Sequence, residues 1–189
     1  MKTPLKFLAS LPLAATIALG GFTSEARAQA VVNVPIAANA SIDQCAGKAT
    51  QAKDYQVVIC NQTGSPLKFS GSEDDLGTFP IRQDVPAYSV SYVDWSSSGS
   101  GVFQVAGNFQ IGDSGKFVQF VPAYHPMYKR SMAICQSTLS GSGPAYKCLR
   151  ELANDKDKEV RIYGSPTFTG IAQMIRNNRG NKMWVFQVK

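Results

Sequence analysis

Between Phe117 and Ile134 the chain places Tyr124, His125, Met127 and Tyr128 directly before Lys129 and Arg130, after a β-rich run that meets Pro122. Proline withholds a backbone donor from a strand ladder, so a regular strand is expected to stop there and another to begin near Ser131. That leaves Ala123 to Arg130 as a loop. Aromatic rings beside cations suit a lipid interface, where a tyrosine ring lies at headgroup depth with its hydroxyl in water and lysine or arginine meets phosphate. The competing reading is an ordinary covered loop, with Tyr124, Met127 and Tyr128 folded back onto the core.

Other residues that invite a catalytic reading fail on spacing. Gly112-Asp113-Ser114-Gly115 resembles a serine nucleophile loop, but the single histidine of the chain, His125, follows the serine instead of preceding it, and Lys116 stands where a further glycine would be needed. A hairpin turn accounts for the motif. Glu73, Asp74 and Asp75 are three adjacent acids in a turn, a solvated cluster more readily than a calcium cage. No metal, cofactor or catalytic set is implied, and a binding protein is expected rather than an enzyme. The four cysteines, Cys45, Cys60, Cys135 and Cys148, are separated by 15, 75 and 13 residues without a C-x-x-C. Zinc is disfavoured by that spacing, and an even count suits two disulfides in an oxidising compartment. Three pairings exist; Cys45–Cys60 and Cys135–Cys148 are favoured because each closes a short loop and ties a flanking segment to a strand.

The compartment is read from the start of the chain. Lys2 and Lys6, an apolar run from Phe7 to Leu19, and the small residues around Ala26 to Ala30 have the form of a cleaved signal peptide over residues 1–30. A secreted or periplasmic protein is expected, with a loose leader over 31–54 and one domain over 55–189. The whole chain carries +6, and without the signal about +4. Arg161, Arg176, Arg179, Lys182 and Lys189 give the stretch after Val160 five cations and no acid. That excess suits an anionic surface, or an ordinary solvated edge.

The elements that would position these residues are mostly strands. β-rich runs fall at Tyr55 to Cys60, Pro66 to Phe69, Tyr88 to Trp95, Gly101 to Ile111, Lys116 to Val121, Ser131 to Gln136, Glu159 to Tyr163, Ile171 to Ile175 and Met183 to Val188. The first two, joined by Asn61 to Gly64, read as a hairpin, and Gly71 to Gly77 reads as the turn that follows. Ile42 to Lys53 reads as a weak helix or a loop around Cys45. Ala145 to Asp157 reads as a helix with Pro144 just inside its start. The fold class expected is mainly β, an antiparallel β-sandwich with one or two short helices packed on it. The alternative is a β-barrel whose C-terminal part, from Leu149 through Lys158 to Gly164, is OB-like; export argues against the nucleic-acid binding that this alternative would bring.

From Tyr55 onward the order of short motifs resembles the actinoporin-like cytolysin superfamily, which includes fruit-body lectins. The motifs are Val57 to Gly64, Asp84 to Pro86, Gly101 to Ile111, Phe120 to Pro122 through Tyr128, Tyr146 to Leu152 and Asn177 to Val188. The resemblance implies a sandwich that binds lipid headgroups or surface glycans. It implies a headgroup site at Ser70, Pro122, Tyr128 and Tyr146, extended by Tyr124, Lys129 and Arg130 from the loop, and allows a homo-oligomer at the membrane. Met127, Ser131, Arg150 and Glu151 depart from the aromatic pattern of that superfamily. Residues 29–54 also lack the long amphipathic helix that inserts in its pore formers, so binding without lysis is expected.

Overall fold

The structure, a computed structural model, describes residues 30–49, 55–95, 103–124, 131–154, 160–162, 170–176 and 182–189. Among these are the strands β1 (Val32–Pro35), β2 (Tyr55–Asn61), β3 (Leu67–Leu76), β4 (Ser89–Trp95), β5 (Phe103–Ile111), β6 (Phe117–Tyr124), β7 (Ser131–Ser137), β8 (Val160–Ile162), β9 (Gly170–Arg176) and β10 (Lys182–Val188), with helices α1 (Ile42–Lys48) and α2 (Gly143–Asn154). They form two five-stranded sheets, in the orders β1-β4-β2-β10-β9 and β3-β5-β6-β7-β8. The fold is a β-sandwich with two short helices, as the strand pattern implied.

Strand alternation sends successive side chains to opposite faces, and here both faces are apolar. Val57 and Ile59 of β2, Trp184 and Phe186 of β10, and Phe109, Phe120, Met132 and Ile134 of the second sheet meet in the central core. Ring contacts run through it, from Phe69 to Phe109, Phe120 and Phe186 at centroid distances of 5.5, 5.5 and 5.1 Å. The opposite face of the first sheet, with Val58, Cys60, Tyr92 and Val185, packs under α1. That of the second, with Ala106, Val121, Ala133 and Cys135, packs under α2. α1 is short but well begun: Ser41 caps it in a reciprocal capping box with Gln44. α2 turns Ala145, Cys148, Leu149 and Leu152 inward, the spacing of one helical face. Each helix is then bound covalently to the sheet it covers, Cys45 to Cys60 and Cys135 to Cys148, the favoured pairing.

Several local expectations change. Val32–Pro35, within the supposed loose leader, is the edge strand beside β4, with Val32, Val34 and Ile36 packed on the outer core. The supposed hairpin does not form, because β2 and β3 belong to different sheets. The Asn61 amide explains the crossing: its Nδ2 donates to the carbonyls of Ser65 and Pro86, each at 2.9 Å, and steers the chain over to the other layer. Residues 71–76, expected as a turn, continue β3 as an irregular edge strand with register shifts after Phe69 and Glu73. An edge strand tolerates such charges and bulges. Pro122 does not end its strand. β6 runs on to Tyr124, keeping register with β5 on both sides of the proline and with β7 at Met132, so Ala123 and Tyr124 are strand and not loop. The sheets are not wholly antiparallel either, since β2 with β10 and β7 with β8 run parallel. The C-terminal strands are shared between the two sheets instead of closing an OB-like unit.

Two glycines are dictated by close approach. A Cβ on Gly107 would stand 2.3 Å from the Phe79 ring, and one on Gly71 would stand 2.7 Å from the Gly141 backbone. Deleting residues 30–39, which leaves Cys45 in place, should lower stability by about 2–4 kcal/mol through the lost burial of Val32, Val34 and Ile36. Urea unfolding of the truncated and full chains measures this, and an unchanged midpoint would show that β1 contributes nothing.

Candidate functional site

One end of the sandwich gathers aromatic and cationic positions. Across the first sheet the register sets Arg176, Lys182, Tyr55 and Trp95 in a single row. In the second sheet Phe103 lies opposite Tyr124 at that same end. The two layers meet there. The Tyr55 ring lies 5.4 Å from that of Tyr124 and 5.6 Å from that of Trp184, and Trp184 Nε1 donates to the Ser131 carbonyl at 3.2 Å. Tyr55 and Tyr124 are half-buried, so each packs one part of its ring on the core and leaves the rest at the surface. Tyrosines in such a setting are amphipathic plugs, apolar inward and polar outward.

The described residues of the expected site lie on β3, β6 and α2. Tyr124 belongs to this aromatic end. Pro122 is buried in β6 with the parity of Phe120 and Tyr124, on the core side. Ser70 lies elsewhere: its Oγ accepts from the Gly141 backbone N–H at 2.9 Å and fastens the loop that enters α2. Tyr146 is 48% exposed on α2, with the Arg150 guanidinium 5.7 Å from its ring centroid. Tyr128, Lys129 and Arg130, with His125 and Met127, lie outside the described residues, as does Arg179. Of the basic set, Arg176 and Lys182 are paired neighbours in the row, whereas Arg161 is on β8, opposite Ala133 in the other sheet.

A second feature lies between α2 and β7. A groove of about 570 Å³ is lined by Gln119, Ser137, Ser140, Lys147 and Glu151, together with Cys135 and Cys148. Its floor is held by a buried amide network. Asn108 Nδ2 donates to the carbonyls of Leu139 and Gly141 at 3.1 and 2.9 Å, while Gln119 Nε2 donates to Asn108 Oδ1 at 2.7 Å and to Ser137 Oγ at 3.0 Å. These amides, and the Tyr55–Trp184 pair, escape sequence reasoning. Asn108 and Gln119 read as outward polar positions until the covering helix is known. The available signal was that both are carboxamides, side chains able to donate and accept at once inside a covered layer.

The motifs that invited catalysis serve the scaffold. Gly112–Gly115 is the turn from β5 to β6, with Gly112 and Gly115 at φ of 51° and 70° and Ser114 Oγ donating to the Ile111 carbonyl at 2.6 Å. Asp113 pairs with Lys68 at 2.7 Å; the hydrogen bond to that carboxylate, and its charge, lift the lysine pKa above the usual value. Asp74 binds the Arg82 guanidinium and accepts from the Phe79 N–H at 2.8 Å. Among the described residues, no three His, Cys, Asp or Glu side chains stand together as metal ligands.

No protein-family model matches the chain, and no curated protein matches it. A solved structure does. The chain is similar to the lipid-binding protein Nakanori, whose crystal structure matches with a TM-score of 0.51 at 11% identity, over 78% of this chain and 76% of that one. At that identity the likeness is one of fold.

The amide network generates a graded expectation. Asn108→Ala strands two carbonyls and the Gln119 amide and should cost about 2–4 kcal/mol, whereas Ser70→Ala loses one hydrogen bond and should cost about 1 kcal/mol. Equal losses for the two variants in urea unfolding would show that the network does not organise the α2 entry.

Proposed function

We propose that the protein binds lipid surfaces through the aromatic and cationic end of the sandwich, without piercing the bilayer. The observation that carries this reading is the row of positions Arg176, Lys182, Tyr55 and Trp95, with the Tyr55 ring meeting that of Tyr124 across the layers. Aromatic residues favour the headgroup region and cations favour anionic lipid, and the row brings both residue types to one end of the sandwich. In the sequence, Tyr128, Lys129 and Arg130 follow β6 and precede β7, and Arg179 stands between β9 and β10, so the same residue types recur in the segments that join these strands. The likeness of fold to a protein described as lipid-binding supports the same reading.

Binding without penetration is supported by the arrangement of the N-terminal segment. β1 is paired into the first sheet, and α1 has seven residues and is bound to β2 through Cys45–Cys60. A helix tied to the sheet it covers is a poor candidate for transfer into lipid. Among the described residues no helix is long and apolar enough to cross a membrane.

Co-sedimentation with vesicles, run beside dye release, tests the proposal. The native protein should bind vesicles containing anionic lipid and leave trapped dye inside. Arg176→Glu with Lys182→Glu should weaken binding by about 1 kcal/mol or more for each charge, an effect that fades at high salt, whereas Tyr128→Ala should weaken it at every salt concentration. Absence of binding to any vesicle, or full binding by the charge-reversed variant, would refute the assignment. Rapid dye release would refute the non-piercing part alone.

A further inference from the structure

The groove beside α2 has a disulfide in its lining. Cys135 and Cys148 both line it, and Lys147 and Glu151 project from the same helix at its wall. Among the described residues the ion pairs are Lys68 with Asp113 and Arg82 with Asp74, and the Lys147 side chain stands exposed at the groove wall. The other disulfide has a different setting. Cys45 and Cys60 are fully buried between α1 and the first sheet, with Gln187 Nε2 packed 3.8 and 4.0 Å from their sulfurs. Gln187 is itself buried, donating to the Ala40 carbonyl at 2.9 Å and to Gln62 Oε1 at 3.0 Å, so that bridge sits behind a sealed polar layer.

We propose that Cys135–Cys148 is a thiol–disulfide exchange site, reached through this groove by a low-molecular-weight thiol of the glutathione class. A space of about 570 Å³ is of the size that takes a small peptide, and Lys147 favours a reagent that arrives as a thiolate and carries carboxylates. The thiolate attacks Cys135 Sγ, at 5% the more exposed of the two residues. A mixed disulfide forms on Cys135, and Cys148 leaves as a thiolate that takes a proton from water. A second thiol attacks the external sulfur of the mixed disulfide and releases Cys135. Two thiols are thereby oxidised to one disulfide, and the protein bridge is reduced to two thiols.

Exchange changes α2 more than the sandwich. The helix loses its covalent tie to β7 but keeps the packing of Ala145, Leu149 and Leu152, and its entry loop keeps the bonds from Asn108 and Ser70. The reduced protein stays folded with a loosened α2. The inference is independent of lipid binding: Gln119 and Tyr124 are five residues apart on β6, about 16 Å at the usual strand rise.

The test treats the native, oxidised protein with reduced glutathione, quenches with a maleimide and maps the labelled cysteines by mass spectrometry. Cys135 and Cys148 should be labelled on the order of tenfold faster than Cys45 and Cys60, with a glutathione adduct trapped on Cys135. Lys147→Glu, a change at an exposed helix position, should slow that labelling about tenfold without altering the circular dichroism of the oxidised protein. Equal rates for the two bridges, reduction of Cys45–Cys60 first, or no reduction without denaturant would each overturn the proposal. So would an unchanged rate in the Lys147→Glu variant.

Discussion

Each of the two sheets is apolar on both faces, and that constraint shapes everything else in the molecule. A sandwich whose outer faces were polar would need only its shared core. Here Val58, Tyr92 and Val185 on one side and Val121, Ala133 and Cys135 on the other must also be kept from water. Helices of seven and twelve residues do this, and neither is long enough to be stable alone. The disulfides remove the chance that either helix drifts off its sheet, each closing a loop of a length that is worth about 3 kcal/mol.

With both broad faces covered, the two ends of the sandwich differ in character. The end with Asn61, the Gly112–Gly115 turn and the Ser137–Ser142 loop is bound together by short side-chain bonds, among them those of Asn61, Ser114 and Asn108. The opposite end is where Tyr55, Tyr124 and Trp184 converge and where the register brings Arg176 beside Lys182. Rigid anchoring at one end and amphipathic chemistry at the other give the molecule a direction, and the tie from α1 to β2 keeps the N-terminal segment on the flank.

The strands with strict alternation and β-branched residues, such as Tyr55–Asn61 and Lys182–Val188, were legible because their burial leaves a period-two trace. Both disulfides were legible from short separations. What escaped was non-local. Nothing near Asn61 tells whether the next strand pairs with the last or crosses to another layer; that depends on Val85 and Pro86, some 24 residues on. Val32–Pro35 is too short, with a proline, to show its alternation until β4 supplies a partner. Pro122 reads as a stop, yet β7 and the core hold the backbone extended on both sides of it. Of the site, the residue types were legible at Tyr124 and the basic stretch, but their assembly with Tyr55 and Trp184 depends on register between strands far apart in the chain.

The central claim, that one end of the sandwich docks on lipid, is tested most directly by hydrogen–deuterium exchange on the oxidised full chain with and without anionic vesicles. The account predicts added protection at the ends of β6 and β9 and the starts of β2, β7 and β10, where Tyr124, Arg176, Tyr55, Ser131 and Lys182 lie. The Gly112–Gly115 turn and the Ser137–Ser142 loop should exchange as in the free protein. Protection centred on that turn and loop, or spread over the face of α2, would contradict it.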